Sequence, residues 1–120
     1  MKVLIVDDQP INRLLPMTLL RKRGIEVVEA EDGDAALRLV TEFQPDLVLL
    51  DISMPGRSGV EICRLIRQSH PPEALRVVAY TAHSSPEEHE AFLAAGFDSV
   101  LIKPIQRDAL FAIVEPARTA

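Results

Sequence analysis

Five short runs of β-branched and leucine-rich sequence, each followed by a longer stretch of helical periodicity, set the strongest limit on how this chain can fold. The runs are Lys2 to Val6, Ile25 to Ala30, Leu47 to Leu50, Arg76 to Tyr80 and Ser99 to Ile102. Strand and helix signals in strict alternation predict βαβ units, hence an α/β domain with a parallel sheet and helices on its faces. Val3 to Val6 and Leu47 to Leu50 are apolar throughout, the pattern of strands covered on both sides, which places these two at the centre. Between the runs the periodicity predicts five helices, over Pro10 to Arg23, Gly33 to Phe43, Gly59 to Gln68, Pro86 to Ala95 and Gln106 to Val114.

Local chemistry marks several helix ends. Ser58 with Glu61, and Ser85 with Glu88 behind Pro86, have the spacing of reciprocal capping boxes. Gly24 and Gly96 stand where helices should stop. Pro16 falls inside the first helix, where loss of a backbone donor costs about 3 kcal/mol unless the helix bends, so a kinked or late-starting helix is expected.

A chain of 120 residues, 48% hydrophobic and 26% charged, is sized for one core that buries roughly two-thirds of its unfolded surface. The expected organisation is one domain over residues 1 to 115 and a polar tail from Pro116 to Ala120. Thirteen basic against eighteen acidic residues leave a net charge of −5, which opposes binding to a phosphate backbone, so no direct nucleic-acid partner is expected. The lone Cys63 has no partner for a disulfide or a cysteine metal site. No apolar run approaches the ~20 residues of a membrane span. The N-terminal apolar stretch is too short for a secretion signal, and a cytoplasmic protein off the membrane is the expectation.

The chemistry lies in what ends the strands. Asp7 and Asp8, Asp51, Thr81 and Lys103 each stand immediately after an apolar run. In open parallel sheets the carboxyl ends of the strands line one edge, and ligands bind there where the strand order reverses. An order of 2-1-3-4-5 sets strands 1 and 3 side by side and gathers Asp7, Asp8 and Asp51. Three close carboxylates repel one another unless a cation neutralises them. An all-oxygen donor set selects Mg²⁺ or Mn²⁺ over zinc, with Asp8 and Asp51 as direct ligands and Asp7 acting through water. With the cation in place an Asp51 oxygen can attack phosphorus in line, Lys103 can pair with a phosphoryl oxygen, and the Thr81 hydroxyl can donate to another.

Val6-Asp7-Asp8, Pro45-Asp46-Leu47-Val48-Leu49-Leu50-Asp51, Met54-Pro55-Gly56, Tyr80-Thr81-Ala82 and Lys103-Pro104, taken in this order, resemble the receiver domains of response regulators, over about residues 2 to 115. That resemblance implies a flavodoxin-like, doubly wound fold, a Mg²⁺-dependent switch and Asp51 as phosphoacceptor. It further implies the Ser53 backbone carbonyl as a metal ligand. The phosphoryl donor would be a histidine kinase or histidine phosphotransfer protein, answered by a downstream reader that the sequence does not identify. The protein would be a monomer or a phosphorylation-dependent dimer. It would be a signalling phosphoacceptor that catalyses only its own phosphorylation and dephosphorylation, not an enzyme with turnover. Asn12-Arg13, Thr81-Ala82-His83 and the run from Ala94 to Asp98 are similar to receivers of hybrid kinases and of single-domain regulators. Ser53 and His83, two residues past the acceptor and the threonine, resemble positions that tune phosphoryl loss. One departure stands out: Val100 occupies the place, three before the lysine, where the family commonly has an aromatic. Tyr80 neighbours Thr81, but strand alternation turns it to the other side.

Taken singly, these residues have plainer readings. A strand-end Asp is ordinarily a turn or cap residue, Lys103 a surface lysine and Thr81 a helix-entry hydroxyl; their joint order carries the functional reading. His70, His83 and His89 lack zinc-ligand spacing and are expected at the surface. Cys63 is expected to be a small buried apolar residue. Of the competing functions, a haloacid-dehalogenase-type phosphatase would need a second Asp where Ser53 stands. A flavodoxin-like FMN carrier would need a phosphate loop where Gln9-Pro10-Ile11-Asn12 stands. A pseudo-receiver acting by binding alone would have lost part of the acceptor set.

Overall fold

The computed structural model describes the backbone of residues 1–119 and the side chains of residues 1–114. Elements alternate in the order β1 (Lys2–Val6), α1 (Pro10–Lys22), β2 (Glu26–Ala30), α2 (Gly33–Phe43), β3 (Leu47–Asp51), α3 (Gly59–Arg67), β4 (Arg76–Thr81), α4 (Pro86–Ala95), β5 (Ser99–Ile102) and α5 (Arg107–Thr119). All paired strands are parallel and the sheet order is β2-β1-β3-β4-β5, as the alternation predicts.

Alternate strand residues face opposite sides, which divides the core in two. Leu4, Val6, Val48 and Leu50 pack with Ile62, Cys63 and Ile66 of α3 and Phe92 of α4. Val3, Ile5, Leu47 and Leu49 pack on the other side with Leu20 of α1 and Leu110, Phe111 and Val114 of α5. A buried leucine contributes about 2 kcal/mol through the water it sheds. The central strands, buried along nearly their whole length, therefore anchor the register. That register sets Val6 beside Leu50 and Asp51 beside Tyr80, so the polar residues after β1 and at the end of β3 emerge on one edge.

The helix ends follow their cap chemistry, with two corrections. Ser85 and Glu88 form the full reciprocal box, but at α3 only half of it forms. The Ser58 hydroxyl accepts from the Glu61 amide at 3.2 Å, while the Glu61 carboxylate lies 4.0 Å from Arg57; a mobile cation one turn back offers the carboxylate a charged partner instead of an amide. The second concerns α1: of the two outcomes expected at Pro16, a bend or a late start, the late start does not occur. It begins at Pro10, at the first helical position where a missing donor costs nothing, and continues past a buried Pro16. Asp32 caps α2 through the Ala35 amide at 2.7 Å, a cap the sequence reading passed over. β3 and β4 each run one residue further than the apolar runs, taking in Asp51 and Thr81. α5 extends past Val114, where the side chains of the expected tail lie outside the described residues. Among the described residues no helix is long and apolar enough to cross a membrane.

Arg67, near the end of α3, ties the β4 side together. Its guanidinium donates to the carbonyls of Gly96 (2.9 Å), His70 (3.2 Å) and Leu75 (2.6 Å), and to the Asp98 carboxylate at 2.7 Å. Asp98 in turn accepts from the Val77 amide at 2.8 Å. Gly59 has a tighter role, because a Cβ there would run into the backbone of Asp51 and Ile52. Only a residue without a side chain lets α3 begin directly behind β3. Gly59→Ala is expected to lose about 2 to 3 kcal/mol of stability by overpacking against backbone that cannot rotate away, read as a lower midpoint of urea unfolding; an unchanged midpoint would refute the close approach.

Candidate functional site

Asp7, Asp8 and Asp51 converge at the carboxyl edge of β1 and β3, and each can present a carboxylate oxygen such that these oxygens lie within 4.8 Å of one another. Asp7 is fully buried and Asp51 is 3% exposed; Asp8 is half-buried. The Lys103 ammonium bridges the two buried acids, 2.9 Å from Asp7 Oδ2 and 3.2 Å from Asp51 Oδ1. Backbone amides fix the same carboxylates: Gln9 N–H donates to Asp7 Oδ1 at 2.9 Å and Ser53 N–H to Asp51 Oδ1 at 3.2 Å. Above them opens a cleft of about 210 Å³ lined by Asp8, Gln9, Asn12, Asp51, Ser53, Ala82 and Lys103.

The electrostatics are those of an over-acidic site. Burial pushes the Asp51 carboxyl above its ordinary range, the Ser53 amide pulls it back, and the Asp7 charge pushes it up further against the pull of Lys103. Burial also works against the Lys103 ammonium, yet its hydrogen bond to Asp7 and the charges of Asp51 and Asp7 outweigh that and hold it above the usual lysine range. The pair thus favours the charged lysine while Asp51 remains a reluctant carboxylate. One ammonium shared between two acids does not offset both desolvation and their mutual repulsion. Three carboxylates and one ammonium sum to about −2, the charge one dication cancels, and hard oxygen donors at this spacing suit Mg²⁺ or Mn²⁺.

Of the residues singled out from the sequence, the structure gathers Asp7, Asp8, Asp51, Ser53 and Lys103. Thr81 stands at the end of β4, buried, next to the cleft-lining Ala82, with its hydroxyl donating to the His83 carbonyl at 3.0 Å. His83 is exposed and its ring nitrogen Nε2 lies 3.3 Å from Glu88. His89 is exposed while His70 is half-buried rather than fully at the surface, packed beside the Ser69 hydroxyl. Cys63 is buried, and burial pushes its thiol up to about 11, an unreactive state. Val100 packs at the margin of the α3 side of the core.

Two residues named in the sequence make contacts that it did not signal. Arg13 reaches back from α1 to donate to the Asp7 carbonyl at 2.6 Å and to Glu29 at 2.8 Å, clamping the β1 end. Tyr80 does lie on the side opposite Thr81, in the α1 and α5 core, but its ring sits under the Lys103 ammonium, 4.7 Å from centroid to nitrogen. Neither contact has a local signal, since both depend on long side chains crossing between elements.

Comparison with known proteins agrees with this geometry. The family model of the response regulator receiver domain matches residues 3–115. Sensor protein GacS of Pseudomonas syringae pv. syringae is 41% identical over 116 residues, 94% of this chain and 13% of that protein. The sensor kinase/phosphatase CqsS of Vibrio cholerae is 37% identical over 110 residues, 91% of this chain and 16% of that protein. The chain therefore spans only a small part of these relatives. Among solved structures, chemotaxis protein CheY4 of Vibrio cholerae superposes with a TM-score of 0.88 at 28% identity, covering 97% of both chains. The receiver domain of NtrX from Brucella abortus gives 0.88 at 31% identity over 98% of both. By the family match over nearly the whole chain and the five-stranded fold it shares with these structures, the chain belongs to the response regulator receiver domain family of two-component signalling.

Proposed function

We propose that this receiver takes its phosphoryl group on Asp51, from a histidine kinase or histidine phosphotransfer protein, in a reaction that requires Mg²⁺ or Mn²⁺. The observation that carries the reading is the Lys103 ammonium held between Asp7 and Asp51 beside Asp8. Asp8 and Asp51 would hold the cation directly, Asp7 through water, and the Ser53 carbonyl would complete the set. When bound, the cation supplies charge neutralisation and orients the phosphoryl oxygens.

The chain's own groups do the rest. A carboxylate oxygen of Asp51, steadied by the Ser53 amide, attacks phosphorus; the bond from phosphorus to the donor breaks and its electron pair leaves with the donor. Lys103 moves from carboxylate to phosphoryl oxygen. The Thr81 hydroxyl exchanges the His83 carbonyl for a charged and stronger acceptor, which releases the loop between β4 and α4 and gives the two states a differential contact. Incubation with acetyl phosphate and Mg²⁺ is expected to add one phosphoryl group to the intact mass, and chelation by EDTA to prevent it. Phosphorylation that ignores EDTA would sink the metal requirement, and no gain with any donor would favour a pseudo-receiver.

The donor's seat is proposed on α1. Ile11, Leu14 and Leu15 are 70%, 53% and 47% exposed, and Pro10, Ile11, Leu14 and Met17 border a largely apolar cleft with Arg13 and Glu29. This face adjoins Gln9 and Asn12 of the acceptor cleft, the position from which a protein could present a phosphohistidine. Ile11→Glu is expected to slow transfer from a phosphorylated protein donor about tenfold, the loss typical of a central apolar contact, while labelling by acetyl phosphate is unchanged. Equal slowing with both donors would place the effect in the acceptor site instead.

A further inference from the structure

We propose that Tyr80 is a positioning residue for Lys103, its buried ring forming the bed on which the ammonium moves between the acids and the phosphoryl group. The proposal rests on the acceptor role given to Asp51. Tyr80 is 3% exposed and pairs in register with Asp51 across the strands. It belongs to the same buried cluster as Leu101 and Ile105, and its hydroxyl reaches the Asn12 carbonyl in the first turn of α1 at 3.4 Å. The ring is thereby held from two ends, its face turned to Lys103 Nζ at 4.7 Å.

A lysine stem loses most of its rotamer freedom when its tip is held at one point. Here the tip has three neighbours: Asp7, Asp51 and the ring. The carboxylate contacts are directional, and the Asp51 contact must be given up as that oxygen bonds to phosphorus. A π face attracts a cation without demanding one donor direction, so it can keep the ammonium in place through the exchange. Burial, followed by the opposing pull of Lys103 and the push of Asp7 and Asp51, leaves the phenol harder to ionise than usual, so the ring stays neutral while it serves. The geometry gives the β4 residue before the threonine a function in the chemistry, separate from the side of the sheet on which Val100 departs from the family pattern.

The test grades the ring without changing its shape. Tyr80 is replaced by Phe, by phenylalanines carrying one to several ring fluorines, and by Leu. Labelling by acetyl phosphate is followed at saturating Mg²⁺, with Mg²⁺ affinity measured separately. The Lys103 ε-methylene proton shift is read by NMR in the unphosphorylated protein. Tyr80→Phe is expected to label close to the wild-type rate, and successive fluorination to slow labelling stepwise, to roughly fivefold at full substitution, with Mg²⁺ affinity unchanged. The methylene signal should lie upfield in wild type and return to its ordinary position in Tyr80→Leu. A rate indifferent to fluorination, a Phe variant as slow as Leu, or a methylene signal without ring-current displacement would overturn the proposal. Wild-type protein that never labels would instead overturn the acceptor reading, and the methylene shift alone would then decide the role of Tyr80. The fluorinated series keeps the test decisive if the Leu variant fails to fold.

Discussion

Asp51→Asn is expected to take up no phosphoryl group from acetyl phosphate at any Mg²⁺ concentration and, before any donor is added, to be more stable than wild type at neutral pH. The first effect follows because an amide is a far weaker nucleophile than a carboxylate and a poorer ligand for a hard dication. The second follows from the sign of the Asp51 shift. Burial, only partly offset by the Ser53 amide, holds its folded pKa above the ordinary value of 3.8. A group raised in this way favours the folded state fully below its unfolded pKa and withdraws that contribution as pH rises through the folded value. Above that window wild type carries a buried carboxylate at a net cost, and Asn does not. The stability difference between variant and wild type should therefore open from about pH 4 upward and then level off. Urea unfolding at several pH values checks it. Mg²⁺ should reverse the order, since a ligand that binds only the folded state adds stability by mass action, and wild type binds it better. Labelling of the variant at the wild-type rate would remove Asp51 from its role. Lower stability at neutral pH in the absence of cation would show that its hydrogen bonds outweigh the burial of its charge.

The fold and the main site residues were legible because one physical rule governs both. A parallel strand buried on two faces must be apolar along its length, so the first polar residue marks where the chain surfaces on the sheet edge. Val3 to Val6 ending in Asp7, and Leu47 to Leu50 ending in Asp51, announce strand position and site together. The residues that escaped are those whose meaning is set by tertiary reach. Nothing in the sequence marks Arg67, yet its side chain is 12% exposed and satisfies three carbonyls. A long stem can lie along apolar surface and deliver its charge elsewhere. Arg13 and the contact between Tyr80 and Lys103 were hidden for the same reason. The half-formed box at Ser58 was misread because the pattern counts a Glu at the right spacing and not the Arg57 that draws it away. Alternation did place Tyr80 on the side opposite Thr81; it could not show that Lys103 arches over the strand end to meet the ring.

Lys103→Ala is expected to lower the stability of the cation-free protein by about 3 to 5 kcal/mol, the usual cost of removing one partner from a buried charge pair, and to make Mg²⁺ bind more tightly. The Lys103 side chain is 17% exposed and its ammonium faces a fully buried Asp7 and a buried Asp51. Without it two carboxylates confront each other with amide donors alone. The dication answers the same charge, so lysine and metal compete for these oxygens and removal of one strengthens the other. The pH dependence follows from the raised Lys103 pKa, in which the hydrogen bond to Asp7 and the charges of Asp51 and Asp7 override burial. That contribution is complete below the ordinary lysine pKa of 10.5 and fades as pH rises through the folded value, so the variant's deficit should shrink only in strong alkali. Labelling by acetyl phosphate should persist at a reduced rate, because the nucleophile and the metal ligands remain. The phosphorylated variant should lack the change in the β4 to α4 loop seen in phosphorylated wild type, since Thr81 alone would face the new charge. Amide shifts of His83 and Ser84 report that change. A phosphorylated Lys103→Ala protein whose loop shifts match those of phosphorylated wild type would show that Thr81 alone suffices for the switch.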